Sequence, residues 1–373
     1  MTPINSNQKI RYAVVGLGWF AQSSALPGFA HAENSELVAL VSDDPVKLAE
    51  ISKHYGVQHT FLYEEYNDCL SSGLIDAVYI ALPNHLHRDY TVRAANAKIH
   101  VLCEKPMAIT EAECEVMIAA AKENHVKLMI AYRLHLEEAN LQAVEVVKSG
   151  KLGEPRIFNS VFTQQVEEGN IRVEKAIGGG TLDDIGIYCI NAARYLFQDE
   201  PIEVFATSAT NGEERFQEVE EMTSVIMRFP QDRLATFICS FGAAKISTYQ
   251  VVGTEGDLLV KPAYATQGEI KHYLTLDGER QERTFKPHDQ HAAEFVYFSD
   301  CILQNKEPEP SGEEGLIDVH IIRALYRSIE TGSFVRLDKF DRAQRPHASQ
   351  TINRESSQEK SDLIHAADPS GKT

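Results

Sequence analysis

Between Arg11 and about Arg133, short apolar runs alternate with helical patterns, and this alternation limits the possible folds more than any other feature of the chain. YAVVGLG, ELVALVS, AVYIALP, HVLCEK and KLMIAY read as strands that are apolar on both faces, as the strands of a buried parallel sheet are. Between them, PVKLAEISKHYG and TEAECEVMIAAAKENH carry apolar residues at helical intervals, and the first stops at Gly56 as a helix C-terminus often does. Strand and helix in alternation predict a doubly wound α/β domain.

After Gly150 the texture changes. EPRIFNSVFT, EVFATSAT, SVIMRFP, LATFICSFG and YQVVGTEGDLLV are strand-like runs separated by Gly, Pro and acidic turns. Helical stretches in GTLDDIGIYCINAARYLF, HAAEFVYFSDCILQ and LIDVHIIRALYRSIETG are expected to cover one face of the resulting sheet. The fold class is therefore α/β: an N-terminal Rossmann domain with a doubly wound parallel sheet, then an α+β domain with a large, open, mostly antiparallel sheet. A chain of 373 residues exceeds the size at which one core keeps growing, which supports two domains. The boundaries fall at residues 1–8 for an N-terminal extension, 9–134 for the nucleotide-binding domain, 135–340 for the second domain and 341–373 for a tail. The tail is polar and without aromatic residues, so it reads as flexible.

Charge excludes some functions. With 36 basic and 54 acidic residues the net charge is −18, which repels nucleic acid and anionic lipid; a phosphate-bearing cofactor still binds where backbone N–H groups and a local cation prevail. The six cysteines form no C-x-x-C pair and read as reduced, mostly buried thiols, with no metal site. No export signal opens the chain and no apolar run reaches membrane-spanning length, so a cytoplasmic protein is expected.

Four stretches carry chemistry. In VVGLGWFA, Gly16, Gly18 and Ala21 follow the first strand as G-x-G-x-x-A, which brings backbone close to a pyrophosphate at a helix N-terminus, with Trp19 and Phe20 alongside it. The second strand ends at Ser42, where a carboxylate would hold the 2′-hydroxyl of NAD. A hydroxyl there, with Lys47 a turn further on, suits the 2′-phosphate of NADP instead. Asp43 and Asp44 oppose that reading, unless one of them simply caps the next helix. LPNHLH, with Leu82, Pro83, Asn84 and His87, follows the fourth strand, and Glu104-Lys105-Pro106 ends the fifth, so the two loops converge at the ligand-binding edge. A lysine there, beside a nicotinamide, is expected to have a lowered pKa and to exchange protons near neutrality. In GGGTLDDIGIYCIN, Asp183 or Asp184 begins a helix on which Asp184 and Tyr188 lie at i and i+4, placing a carboxylate and a phenol on one side. An ordinary helix cap with a half-buried tyrosine would leave the same pattern.

AVVGLGWFA, LPNHLH, CEKP and GGGTLDDIGIYCIN, in this order, resemble the Gfo/Idh/MocA oxidoreductases from about residue 9 to 338, and within them the branch of glucose-fructose oxidoreductase and NADP-dependent aldose dehydrogenases. The resemblance implies that residues 135–340 bind substrate and join subunits through the open sheet as a homodimer or homotetramer. It also implies roles by position. Lys105, Asp184 and Tyr188 would be catalytic and touch substrate, Arg133 and Arg172 would lie near cofactor and substrate, and Glu104 would belong to the cofactor site. Ile171 departs from the family pattern, standing where related sequences often have tryptophan.

The expected activity is NADP-dependent transfer of hydride between the nicotinamide and a sugar carbon. C1 of an aldose, giving an aldonolactone, is favoured; sugar-to-sugar transfer with bound cofactor is a variant of it. In this scheme Tyr188, assisted by Lys105, takes the hydroxyl proton while Asp184 orients the substrate. The alternatives are an NAD-dependent inositol, polyol or keto-sugar dehydrogenase, and a dinucleotide-sensing regulator without catalysis.

Overall fold

A computed structural model describes residues 8–340, 342, 344–356 and 363–371. Residues 1–7 of the expected extension, and residues 341, 343, 357–362 and 372–373 of the tail, lie outside the described residues.

Six strands, β1 (Ile10–Val15), β2 (Ser35–Ser42), β3 (His59–Leu62), β4 (Ala77–Ile80), β5 (His100–Cys103) and β6 (Leu128–Ile130), form a parallel sheet in the order β3-β2-β1-β4-β5-β6. The order reverses between β1 and β4, and ligands of such sheets bind at that switch point, beyond the carboxyl ends of the strands. The near-total burial of β1, β4, β5 and β6 explains their unbroken apolar sequences. Helices α1 (Leu26–Gly28), α2 (Pro45–Tyr55), α3 (Tyr66–Ser71), α4 (His87–Asn96) and α5 (Glu111–Glu123) fill the connections. The first expected helix is α2: the Asp44 carboxylate accepts from the N–H groups of Val46 and Lys47, and the helix stops at Gly56 with φ +69°. Asp44 is thus the capping member of the SDDP cluster. In α5, Thr110 and Glu113 form a capping box.

The second sheet has nine strands: β7 (Pro155–Gln165), β8 (Glu203–Ala209), β9 (Met222–Phe229), β10 (Arg233–Ser240), β11 (Gly242–Gly253), β12 (Gly256–Lys261), β13 (Ile270–Leu276), β14 (Glu279–Phe285) and β15 (Val335–Arg336). Their order is β14-β13-β12-β11-β7-β10-β9-β8-β15, antiparallel except where β10 runs parallel to β7. Helices α6 (Glu138–Lys148), α7 (Ile187–Phe197) and α9 (Gly312–Thr331) line its inner face. Alternation along β9 and β10 leaves Ile226, Leu234 and Ile238 on the outer face, beside Ile157 and Ile246.

Two expectations are corrected. Helix α8 (Gln290–Leu303), the HAAEFVYFSDCILQ segment, covers the first sheet and not the second: Phe295 packs edge-on against Tyr12 and Tyr79 and stacks on Phe29. Its periodicity announces an apolar face, but not which sheet that face will meet. The tail, read as flexible, is anchored where it is described. Arg342 bonds to Glu309 and Glu314, Arg345 to Glu200, Ile352 N–H to the Leu136 carbonyl, and Arg354 to Glu33. The buried acids Glu200, Glu309 and Glu314, with the exposed Glu33 and a backbone carbonyl, supply partners that a polar composition does not reveal.

All six cysteines are buried and unbridged. Among the described residues no helix is long and apolar enough to cross a membrane.

Candidate active site

The first wall of the site is the turn after β1. Gly16 has φ +95°, and a Cβ there would lie 2.5 Å from the Ala81 carbonyl oxygen, so only glycine lets β1 and the end of β4 approach. A Cβ on Gly18 would meet nothing within 4 Å, which leaves open space over the turn. The following helix starts at Trp19 and passes into a π turn, Ala21–Ala25, where the Gln22 N–H donates to the Gly18 carbonyl at 3.1 Å, so the helix N-terminus lies at the glycine loop itself. These features fit a dinucleotide pyrophosphate. Phe20 packs edge-on against His291, and Trp19 is half-buried beside it.

At the end of β2, Ser42 is buried, and its hydroxyl accepts from the Asp44 N–H at 3.3 Å and lies 3.4 Å from the Asp43 carboxylate. Lys47 is half-buried one helical turn away. The corner therefore holds a hydroxyl, a cation and two carboxylates together.

LPNHLH and the glycine run meet across the two domains. Asn84 Nδ2 donates to the Gly178 carbonyl at 2.8 Å, and with φ +92° Gly178 has no room for a Cβ, which would sit 2.8 Å from that of Asn84. Leu82 is buried and Pro83 half-buried in the same loop. His87 is fully buried, its nitrogens 2.9 Å from the Pro106 carbonyl and 2.8 Å from the Leu82 carbonyl, so it ties the two strand-end loops together and turns no polar atom to the cleft.

At the centre stands Lys105. Its ammonium donates to the backbone oxygen of Asp184 at 2.8 Å and to Oδ1 at 3.2 Å, and lies 4.9 Å from the centre of the Tyr188 ring. The other carboxylate oxygen of Asp184 accepts from Arg172 Nε at 2.8 Å and Gln164 Nε2 at 3.3 Å. Burial would raise the Asp184 pKa, but Arg172 and Lys105 outweigh it and hold the carboxylate at about 2. The expected lowering of Lys105 is reversed in the protein alone: burial does lower it, but Tyr188, Asp184 and Glu104 together raise it above the ordinary lysine value. A positive nicotinamide ring nearby would act in the opposite direction.

Asp184 lies in a second π turn, Leu182–Gly186, which leads into α7. Single π turns recur at functional sites because they re-aim side chains. Here Asp184 and Tyr188 both come to Lys105, whereas the neighbouring Asp183 turns away to Arg323 and Tyr326. The Arg133 guanidinium lies 5.1 Å from the centre of the Tyr188 ring, which also contacts Phe162 and Tyr264. Arg133 itself is buried and bonded to Gln290 and the Tyr264 carbonyl, so it reaches the site through Tyr188.

Behind Lys105, Tyr79 donates to Glu104 at 2.5 Å, and burial raises Glu104 to about 7. Burial pushes the nearby Glu294 on α8 up to about 8. Sequence reasoning missed Gln164, Gln290 and Glu294. Gln164 ends a strand facing the cleft, a positional signal that could have found it; the other two depend on where α8 docks.

Residues 10–132 match the family described as "Oxidoreductase family, NAD-binding Rossmann fold", and residues 140–259 match the "GFO/IDH/MocA C-terminal domain". The chain is 35% identical over 340 residues to D-xylose 1-dehydrogenase [NADP(+)] of Haloarcula marismortui, covering 89% of this chain and 94% of that protein. It is 30% identical to D-xylose 1-dehydrogenase (NADP(+)) 2 of Haloferax volcanii, covering 88% and 99% respectively. Among solved structures, the aldose-aldose oxidoreductase from Caulobacter crescentus complexed with glycerol superposes with a TM-score of 0.85 at 38% identity, over 88% of this chain and all (100%) of that one.

Proposed function

The chain belongs to the Gfo/Idh/MocA oxidoreductase family, and from that premise we propose that it is an NADP-dependent sugar dehydrogenase oxidising C1 of an aldose to an aldonolactone. The observation that carries this reading is the convergence of Lys105, Asp184 and Tyr188 at the carboxyl edge of the parallel sheet. When bound, the nicotinamide accepts hydride from the sugar carbon. The chain's own residues handle the rest. Tyr188 takes the hydroxyl proton through its phenol oxygen, with its ring set against Lys105 and Arg133. Asp184, held as a carboxylate by Arg172 and Lys105, accepts from a sugar hydroxyl and fixes Lys105 in place. Gly16, Gly18 and the helix N-terminus that follows them cradle the pyrophosphate, and Ser42 with Lys47 receives the 2′-phosphate.

The regulator alternative has no use for a lysine, carboxylate and phenol brought together from two domains. A second reading has a specific support: the 38% identical relative named for aldose-aldose transfer. Hydride would then return from the same cofactor to a second aldose. The outer face of the second sheet, with Ile157, Ile226, Leu234, Ile238 and Ile246 exposed, suits subunit association as a dimer or tetramer, and a cytoplasmic location accords with the buried free thiols.

The test is to incubate the pure protein with NADP⁺ and a panel of aldoses and polyols while recording absorbance of the reduced cofactor. Reduction with pentoses or hexoses that have a free C1 is expected. Activity confined to inositols, or to NAD⁺, would overturn the assignment.

A further inference from the structure

The end of the chain returns to the edge of the cofactor cleft. Ile364 is bonded at both its backbone groups to one side chain: its N–H donates to Gln22 Oε1 at 2.8 Å, and its carbonyl accepts from Gln22 Nε2 at 2.9 Å. Gln22 is 4% exposed and lies in the π turn directly after the G-x-G-x-x-A loop, with Nε2 donating also to the Leu17 carbonyl of that loop at 2.8 Å. The next residue, His365, places Nδ1 2.7 Å from the Asp44 carboxylate. Asp44 caps α2, and its N–H is bonded to Ser42, the residue at the adenosine-ribose corner. Four residues further on, the carbonyl of buried Pro369 accepts from the Glu167 N–H at 2.9 Å. Glu167 belongs to the other wall of the cleft, just after β7 and three residues beyond Gln164, which bonds Asp184.

Four residues span at most ~14 Å when extended. Between His365 and Pro369 the chain therefore joins the nucleotide-binding wall to the substrate-side wall within that reach, and it is bonded at both ends. The contacts fall at the phosphate loop, the ribose corner and the loop following β7, which together bound the mouth of the cleft. The contacts here are backbone groups and one imidazole, and two of them, Gln22 and Asp44, belong to the cofactor loops.

We propose that residues 363–371 form a strap across the mouth of the dinucleotide cleft, that its bonds to Gln22, Asp44 and Glu167 must part before NADP can leave, and that His365 is a further cofactor-site residue at the 2′-phosphate corner. The His365 ring is 58% exposed, which leaves it surface to present to a ligand while Nδ1 is occupied by Asp44. Its Nδ1 also occupies one carboxylate oxygen of Asp44, the residue whose N–H is bonded to Ser42 at the corner that a 2′-phosphate would reach. The strap rests on the dinucleotide reading given above, and it would favour an enzyme that keeps its cofactor between half-reactions.

The test is a release experiment. Protein loaded with NADPH is mixed in a stopped-flow instrument with excess NADP⁺, and loss of bound-NADPH fluorescence gives the dissociation rate. The double variant Ile364→Pro/His365→Ala, which removes the donor to Gln22 and the partner of Asp44 at the chain's end, should release NADPH at least tenfold faster, with the thermal midpoint of the protein little changed. His365→Ala alone should speed release of NADPH more than release of NADH. Release rates within twofold of wild type in the double variant would overturn the strap while leaving the dinucleotide site intact. Equal effects of His365→Ala on the two cofactors would overturn the role of the imidazole. A wild-type protein that binds neither NADPH nor NADH would overturn the strap together with the dinucleotide reading.

Discussion

Lys105 is bound twice by one residue, its ammonium donating to both the main-chain oxygen and the carboxylate of Asp184. The first bond depends on the path of the π turn and the second on the side chain, so the lysine is fixed even if either is lost. Lys105→Ala should lower turnover by 10²-fold or more, the usual scale for a group that handles protons, while NADPH binding measured by fluorescence stays within a few-fold of wild type. Asp184→Asn keeps the main-chain bond and should cost less. A Lys105→Ala enzyme with more than about a tenth of wild-type kcat would remove the lysine from the chemistry.

Tyr188 distinguishes a chemical role from a packing role cleanly. Its ring is held by Lys105, Arg133, Phe162 and Tyr264, and a phenylalanine ring can make all four contacts. Tyr188→Phe should therefore preserve the thermal midpoint and cofactor affinity yet lose most of kcat. Near-normal turnover would leave Tyr188 as lining of the pocket and pass the base role to Lys105 or a water.

The parts of this arrangement that were legible in the sequence share a physical cause. β1, β2, β4, β5 and β6 are mostly buried and so show as apolar runs, whereas β3, with His59 and Thr60 in four half-buried or exposed positions, does not. Lys105, Asp184 and Tyr188 stand out because each occupies a strand end or helix start beside an unusual turn. Non-local relationships stayed hidden. The ionisation of Lys105 depends on carboxylates and a phenol brought from both domains, the docking of α8 on the first sheet sets the surroundings of Glu294, and the tail's anchors are backbone groups and buried acids distant in sequence.

Cofactor choice turns on the corner after β2, where Lys47 is the residue whose charge attracts a 2′-phosphate and Asp43 the one that repels it. Lys47→Ala should raise the Kd for NADP(H) by about ten- to a hundredfold, the range for losing a charge-assisted contact, and change that for NAD(H) little. Asp43→Ala should move NADP(H) affinity in the opposite direction. Isothermal titration with both cofactors decides it, and parallel loss of NADP(H) and NAD(H) affinity in Lys47→Ala would show that the lysine is not at the phosphate.

Glu294 gives a pH dependence whose sign follows from burial. It is 2% exposed, its Oε1 is without a hydrogen-bond partner among the described residues, and burial raises it to about 8 from an ordinary value of 4.5. Between those two values the folded protein keeps this proton while the unfolded chain has lost it, so folding binds a proton and stability falls as pH rises through the window. Above the folded value the full cost is present, on the order of a few kcal/mol. Glu294→Gln retains the shape of the protonated acid and cannot ionise, so its stability should not fall in this way. The variant should be close to wild type at pH 5 and progressively more stable up to pH 8–9, as read from thermal midpoints at each pH. His291, whose Nδ1 lies 3.2 Å from the second carboxyl oxygen, is itself held neutral through this range, lowered to about 4 by burial and by Arg133, so it supplies no cation to offset the cost. A difference between Glu294→Gln and wild type that is constant with pH, or that shrinks as pH rises, would mean that the pKa of Glu294 is not raised in the folded protein.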